Sequence, residues 1–186
     1  MSQRLWWARA ALVLIRPVEV FTALRDESVE EAQAREEPVL AIVLLAGIAG
    51  VLATTLAGDV ELGGVELAVW AFLGGALEGF ALYFVVGALA FVGGSAAGST
   101  WRYRHARHVL AYAVVPLAAS LPVWAVRLAF DADLDLVLTG VLAWCAGLLV
   151  VGVRVLHAWP WWRAVAAAAL PLLVPVLVLL RAYSVL

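Results

Sequence analysis

Lysine is absent from this 186-residue sequence, and all twelve basic side chains are arginine. We read that as genomic base composition and assign it no mechanism. Net charge is −2, so there is no basic excess to hold a polyanion, and a nucleic-acid partner is excluded. One cysteine, Cys145, forbids an internal disulfide, and no Cys/His spacing resembles a zinc site. Charge itself is scarce, at 14% of residues against about 25% in soluble domains.

Apolar residues fill the space. The hydrophobic class reaches 66%, and mean hydropathy is +1.01. A water-soluble domain of this length cannot bury so much apolar surface, so lipid is the solvent for most of the chain. A soluble enzyme, a disordered tail and a disulfide-stapled secreted fold are thereby excluded.

A hydrocarbon core of about 30 Å takes about 20 helical residues to cross. Stretches free of Asp, Glu and Arg run Pro38–Gly58, Gly79–Trp101, His108–Val126, Leu136–Val153 and Ala164–Leu180. They predict an all-α polytopic bundle of five transmembrane helices, at about 38–58, 66–98, 108–130, 134–157 and 160–182. The second run is longer than one crossing and contains Gly74, Gly75 and Glu78. We favour one long helix there over a helix broken at the glycines.

Residues 1–37 form a separate N-terminal segment. Arg9 interrupts its apolar run, Arg16 closes it and no small-residue cleavage site follows, so a retained interfacial segment is expected rather than a signal peptide. Pro17 opens a short helix in which Val18, Phe21 and Leu24, with Val20, form an apolar stripe. That stripe either lies on the membrane or docks on the bundle. Ser28 and Glu31 fit a capping box, and the polar helical turn they start is expected to stop at Pro38.

Orientation follows from arginine. Arg4, Arg9, Arg16, Arg25, Arg35, Arg102, Arg104, Arg107, Arg154 and Arg163 fall on one side, and Arg127 and Arg181 on the other. The second side also carries Asp59, Glu61, Glu66, Asp131, Asp133 and Asp135. This bias predicts a cell-membrane protein with a cytoplasmic N-terminus and a C-terminus outside. Trp101, Tyr103, Trp159, Trp161 and Trp162 suit the inner headgroup level, and Trp70, Trp124 and Tyr183 the outer one. Trp144, mid-span, reads as a packing residue.

With the layout in place, the pattern resembles a known family. A segment of the form Arg16-Pro17-x-x-x-Phe21 precedes five spans. The third span opens with Ala111-Tyr112-x-x-x-Pro116 after a basic loop, and the pair Gly93-Gly94 precedes that loop. This resembles the Ypt-interacting-protein (Yip) family, over roughly residues 16–182. Eukaryotic members are five-pass proteins of the early secretory pathway that engage Rab-type GTPases. Only 37 residues precede the first span here, and no acidic Asp-Leu-Gly-Pro motif occurs, so the chain looks like the compact prokaryotic branch and Rab binding does not carry over. The resemblance implies a non-enzymatic membrane organiser or partner-binding protein. Its partners would be the lipid bilayer, a cytoplasmic or membrane protein and a second copy of the chain.

No cofactor or catalytic motif emerges. Glu30-Glu31-x-x-x-Arg35 matches a signature of prenyl-protease-like intramembrane metalloenzymes, but the accompanying intramembrane histidine motifs are missing. His105 and His108 share a helical face, yet three histidines without a carboxylate at fixed spacing do not specify a metal. The run from Gly93 to Ser99 is neither a phosphate loop nor a nucleophile elbow. Spacings such as Gly75/Gly79 and Gly94/Gly98 suit close helix packing.

Two intramembrane charges remain. Glu78 lies 20 residues before Gly98, and Arg127 lies 19 after His108, which places them at similar depth. Each costs about 2.5–3.5 kcal/mol at a helix centre when alone, so an ion pair between spans two and three is expected. The alternative function is a small transporter or channel component with both charges in a polar path. Pro116, Pro122, Pro171 and Pro175 would kink its helices. Tyr112, one turn before Pro116, is expected to pack on a neighbour and to hydrogen-bond a carbonyl that the proline releases.

Overall fold

Each apolar run folds as helix, because a backbone in hydrocarbon has no other partner for its N–H and C=O groups. The computed structural model describes residues 2–25, 28–57, 62–130 and 135–182. Asp59, Glu61, Asp131, Asp133 and Tyr183 lie outside the described residues. Nine helices occur among those described: α1 (Ser2–Leu12), α2 (Pro17–Ala23), α3 (Val29–Ala57), α4 (Gly64–Ala96), α5 (Tyr103–Ala113), α6 (Val115–Ala119), α7 (Leu121–Phe130), α8 (Asp135–His157) and α9 (Trp161–Ala182). Stretches within α3, α4, the α5–α7 run and α8 are long and apolar enough to cross a membrane, and α9 adds the shorter apolar stretch Trp161–Val174.

An element boundary differs from the sequence reading at Pro38, whereas the second span is the one long helix that reading favours. Pro38 does not stop a helix; it is buried inside α3, which runs unbroken through it. The missing N–H forfeits one backbone bond, and burial of the flanking Val39, Ile42 and Val43 outweighs that loss. The glycines at 74 and 75 lie inside one continuous 33-residue α4.

Those glycines serve the joint between α3 and α4. A Cβ on Gly47 of α3 would collide with the Gly75 carbonyl and come within 2.8 Å of Gly79 Cα. A Cβ on Gly75 would meet Ile48 Cα at 2.6 Å. The backbones therefore approach as closely as helices can, through small residues on both sides. Farther along α4, a Cβ on Gly93 would collide with the Ala167 carbonyl of α9. Gly98 plays a different part from its predicted packing role. It lies beyond the helix at φ +85°, and the bonds Gly98 N–H to Ser95 O and Ser99 N–H to Gly94 O, each 2.9 Å, close the α4 C-terminus around it.

The third span breaks at Val114 and again at Ser120, so α5, α6 and α7 follow one another as separate helices. Pro116 sits in the first turn of α6, where its missing N–H would have no intrahelical partner anyway. α5 packs mainly on α4 and α8, α6 on α3 and α8, and α7 on α3. Past the break the span leaves α4 and stays on α3.

Two apolar clusters result. The larger, at the arginine-rich end, joins Trp6, Phe21, Leu24, Tyr112 and Leu149. The smaller, toward the opposite end, joins Ala49, Ala53, Trp124, Leu138 and Leu142. Trp124 is a core residue here and not a headgroup-level one: its indole N–H donates to Ser120 Oγ at 2.8 Å, which satisfies the ring inside the protein. Trp144 is half exposed instead of packed, because it lies across α8 from the buried face of Leu138, Leu142, Cys145 and Leu149.

Candidate functional site

The arginine-rich end of the bundle is closed by its own N-terminal segment. α2 docks on α8 through Val20, Phe21 and Leu24, all buried. Gly152 of α8 provides the hole, since a Cβ there would meet Val109 Cγ1 at 2.7 Å and the Phe21 ring at 3.0 Å. Val18 is not part of the docked face. It is 53% exposed, and Pro17 is only partly buried. At 3.6 residues per turn the face centres on Leu24, and Val18 falls about 120° away from it.

α1 docks on α3 through Trp6, which is 0% exposed. Its indole N–H donates to Glu31 Oε2 at 2.7 Å, and Arg9 approaches the same oxygen at 3.8 Å. The ring lies between two guanidinium groups, Arg9 at 4.3 Å and Arg35 at 5.1 Å from its centroid. Arg35 is 1% exposed and donates to the Leu24 carbonyl at 3.1 Å, tying α3 to the end of α2. Ser28 accepts from the Glu31 N–H at 3.3 Å, the N-cap bond that its sequence position predicts. The Glu-Glu-x-x-x-Arg string is therefore built into helix docking through Glu31 and Arg35.

Tyr112 is fully buried with its ring 5.7 Å from Trp6. Its hydroxyl has no hydrogen-bond partner among the described residues, which corrects the expected bond to a carbonyl freed by Pro116. The reason is geometric. The carbonyl one turn before Pro116 is that of Tyr112 itself; it accepts a backbone N–H at the end of α5, and helical side chains lean back toward the N-terminus, away from it.

A second constellation joins residues that are far apart in sequence. His157 stacks between Trp101, 4.3 Å away, and Trp159, 4.1 Å away. His157 Nδ1 lies 2.9 Å from the Val153 carbonyl, which can only accept, so Nδ1 carries the proton of the neutral ring. Nε2 then accepts from the Ser99 hydroxyl at 2.6 Å, while Ser99 Oγ accepts from the Trp101 N–H at 3.1 Å. Arg163 donates through Nε to the Ala97 carbonyl at 2.9 Å and stacks on Trp159 at 4.1 Å. Together these contacts fasten the turn after α4 to α8 and α9. Nothing in the local sequence around Ser99 or His157 announces the pairing, because 58 residues separate them.

His105 and His108 are both buried on α5. Among the described residues, no group of three or more His, Cys, Asp or Glu side chains is placed to hold a metal. Arg107 lies with its guanidinium 4.8 to 5.3 Å from the rings of Tyr83, Phe84 and Tyr103.

Glu78 and Arg127 do not meet. Among the described residues, ion pairs form between Arg9 and Glu31 and between Arg16 and Glu19, and none joins Glu78 to Arg127. Arg127 donates to the Leu56 carbonyl of α3 at 2.8 Å. The break in the third span is the cause: it turns α7 onto α3, so matching depth does not bring Arg127 to α4. Glu78 is exposed and lines a cavity of about 170 Å³ between α3, α4, α5, α8 and α9.

A family model described as the Yip1 domain matches residues 11–182. The chain belongs to the Yip1-domain family. It is a multi-pass membrane protein. No curated protein and no solved structure matches it. The matched stretch of this Yip1-domain protein contains Phe21, Glu31, Arg35, Gly93, Gly94, Tyr112 and Pro116, whereas Trp6 precedes it.

Proposed function

We propose that this Yip1-domain protein is a five-pass, non-enzymatic organiser of the cell membrane that binds a protein partner through its N-terminal helices. The N-terminus is cytoplasmic and the C-terminus outside, a reading supported by the arginine bias of the loops. The observation that carries the proposal is the two-sided character of α1 and α2. One side is locked into the bundle by Trp6, Phe21 and Leu24, while Trp7 and Val18, with Ile15 in the turn between the helices, project outward. A rigidly held platform with exposed aromatic and aliphatic side chains suits recognition of a partner.

The test is photo-crosslinking in intact cells from Ile15 and Val18, with Phe21 as the buried control. Protein adducts at the first two positions and none at Phe21 support the reading. Adducts to lipid alone would overturn it. In a Cys145→Ser background, Tyr103→Cys should react with an impermeant thiol reagent only from the cytoplasm, and Asp133→Cys only from outside.

A further inference from the structure

An intramembrane carboxylate without a partner is costly, and Glu78 is one. It lies midway along α4 and is exposed. No hydrogen bond or ion pair engages it among the described residues. It also lines the cavity, whose other walls are almost wholly hydrocarbon, among them Val51, Leu82, Leu142 and Leu172. The Thr54 hydroxyl on the same lining is already committed, donating to the Gly50 carbonyl at 2.9 Å.

Size and polarity decide what such a space takes up. An apolar cavity of about 150 Å³ stays dry and admits a molecule such as benzene. At about 170 Å³ this one has room for a hydrocarbon segment, and its lining offers too few polar groups to hold a water cluster. The bilayer surrounds the cavity with hydrocarbon chains. The carboxylate at its wall then selects among them by charge. A cationic head removes the isolation of Glu78 and gains a charge-assisted hydrogen bond in low dielectric. A neutral alcohol gains only an ordinary bond, and a fatty acid is repelled.

From this geometry we infer that the cavity binds lipophilic amines from the membrane, the alkyl chain inserted among α3, α4 and α8 and the ammonium group on Glu78. The site is independent of the N-terminal helices and of any protein they bind.

The intact protein in phosphatidylcholine nanodiscs is photolabelled with a long-chain alkyl amine carrying a diazirine, and the adducts are mapped by mass spectrometry. The matching diazirine alcohol is the control. Adducts on cavity-lining residues are expected with the amine, and labelling should fall about tenfold in Glu78→Gln, as for loss of one charge-assisted hydrogen bond. Gly50→Leu fills the cavity without disturbing the backbone, because a Cβ at Gly50 meets only the Leu117 side chain, at 3.8 Å. It should also abolish the adducts. Equal labelling by amine and alcohol would overturn the inference, as would amine adducts undiminished by either substitution. A change of oligomeric state in Glu78→Gln without cavity labelling in the wild type would also overturn it, and would assign Glu78 to a protein interface.

Discussion

The indole nitrogen of Trp6 lies 2.7 Å from Glu31 Oε2, across 25 residues of sequence. That bond fixes the first helix on the third, and it joins a residue ahead of the family-matched stretch to one within it. Trp6→Phe keeps most of the ring and loses the donor. It should lower stability by about 2 kcal/mol, the range for a hydrogen bond to a charged group. Trp6→Ala should cost about 3–5 kcal/mol through the cavity it leaves. SDS-induced unfolding from mild detergent measures both, and tryptic cleavage at Arg9 should accelerate in the same order.

Gly47 and Gly50 lie on the same helix and should respond oppositely to alanine. At Gly47 the added methyl collides with the backbone of α4, so Gly47→Ala should destabilise by about 3 kcal/mol. At Gly50 the nearest atom is 3.8 Å away, and alanine's better helix propensity should stabilise by up to about 1 kcal/mol. Unfolding midpoints of the two variants, compared side by side, check the sign of each.

Ala158 sits at φ 53°, just past the end of α8, where Trp159 N–H reaches the Arg154 carbonyl at 3.2 Å. A left-handed alanine carries about 1 kcal/mol of strain that glycine avoids. Ala158→Gly should therefore stabilise by about 0.5 kcal/mol after the greater chain entropy of glycine is subtracted. A lowered unfolding midpoint would contradict this account of the turn.

His157→Phe preserves stacking between Trp101 and Trp159 while leaving Ser99 Oγ–H and the Val153 carbonyl without their ring partners. A loss of about 1–2 kcal/mol is expected. Hydrogen exchange across residues 97–102 should speed up, since those contacts hold that turn to α8. Unchanged exchange there would mean that aromatic stacking alone fastens it.

The helical bundle was legible because charge-free runs of about 20 residues have a single structural outcome in lipid. Docking partners were less so. The stripe of α2 was found by its period, but which flank faces inward depends on the hole at Gly152, 131 residues beyond Phe21. Depth arithmetic for Glu78 and Arg127 assumed a straight third span. The breaks at Val114 and Ser120 redirect its second half, and a proline in sequence does not say toward which neighbour. Trp124 and Trp144 exchanged roles for a similar reason: residue type gives a preference for the headgroup level, whereas helix rotation decides which ring turns inward. Ser99 and His157 carried no local signal at all, being joined only by the packing of α8 beside the turn after α4.

The length of α4 bears on the membrane itself. Its 33 residues extend about 50 Å, and an inclination of about 40°, the upper end of the usual range, still leaves a height of about 38 Å. A hydrocarbon layer of about 30 Å cannot contain that. At least one helical turn therefore stands in the headgroup region or beyond it, and the Gly64 end, with Glu66 and the exposed Trp70 ring, is the end suited to do so. Thicker bilayers cover more of this projection and thinner ones less. The mismatch energy of the protein therefore changes with bilayer thickness through this one helix.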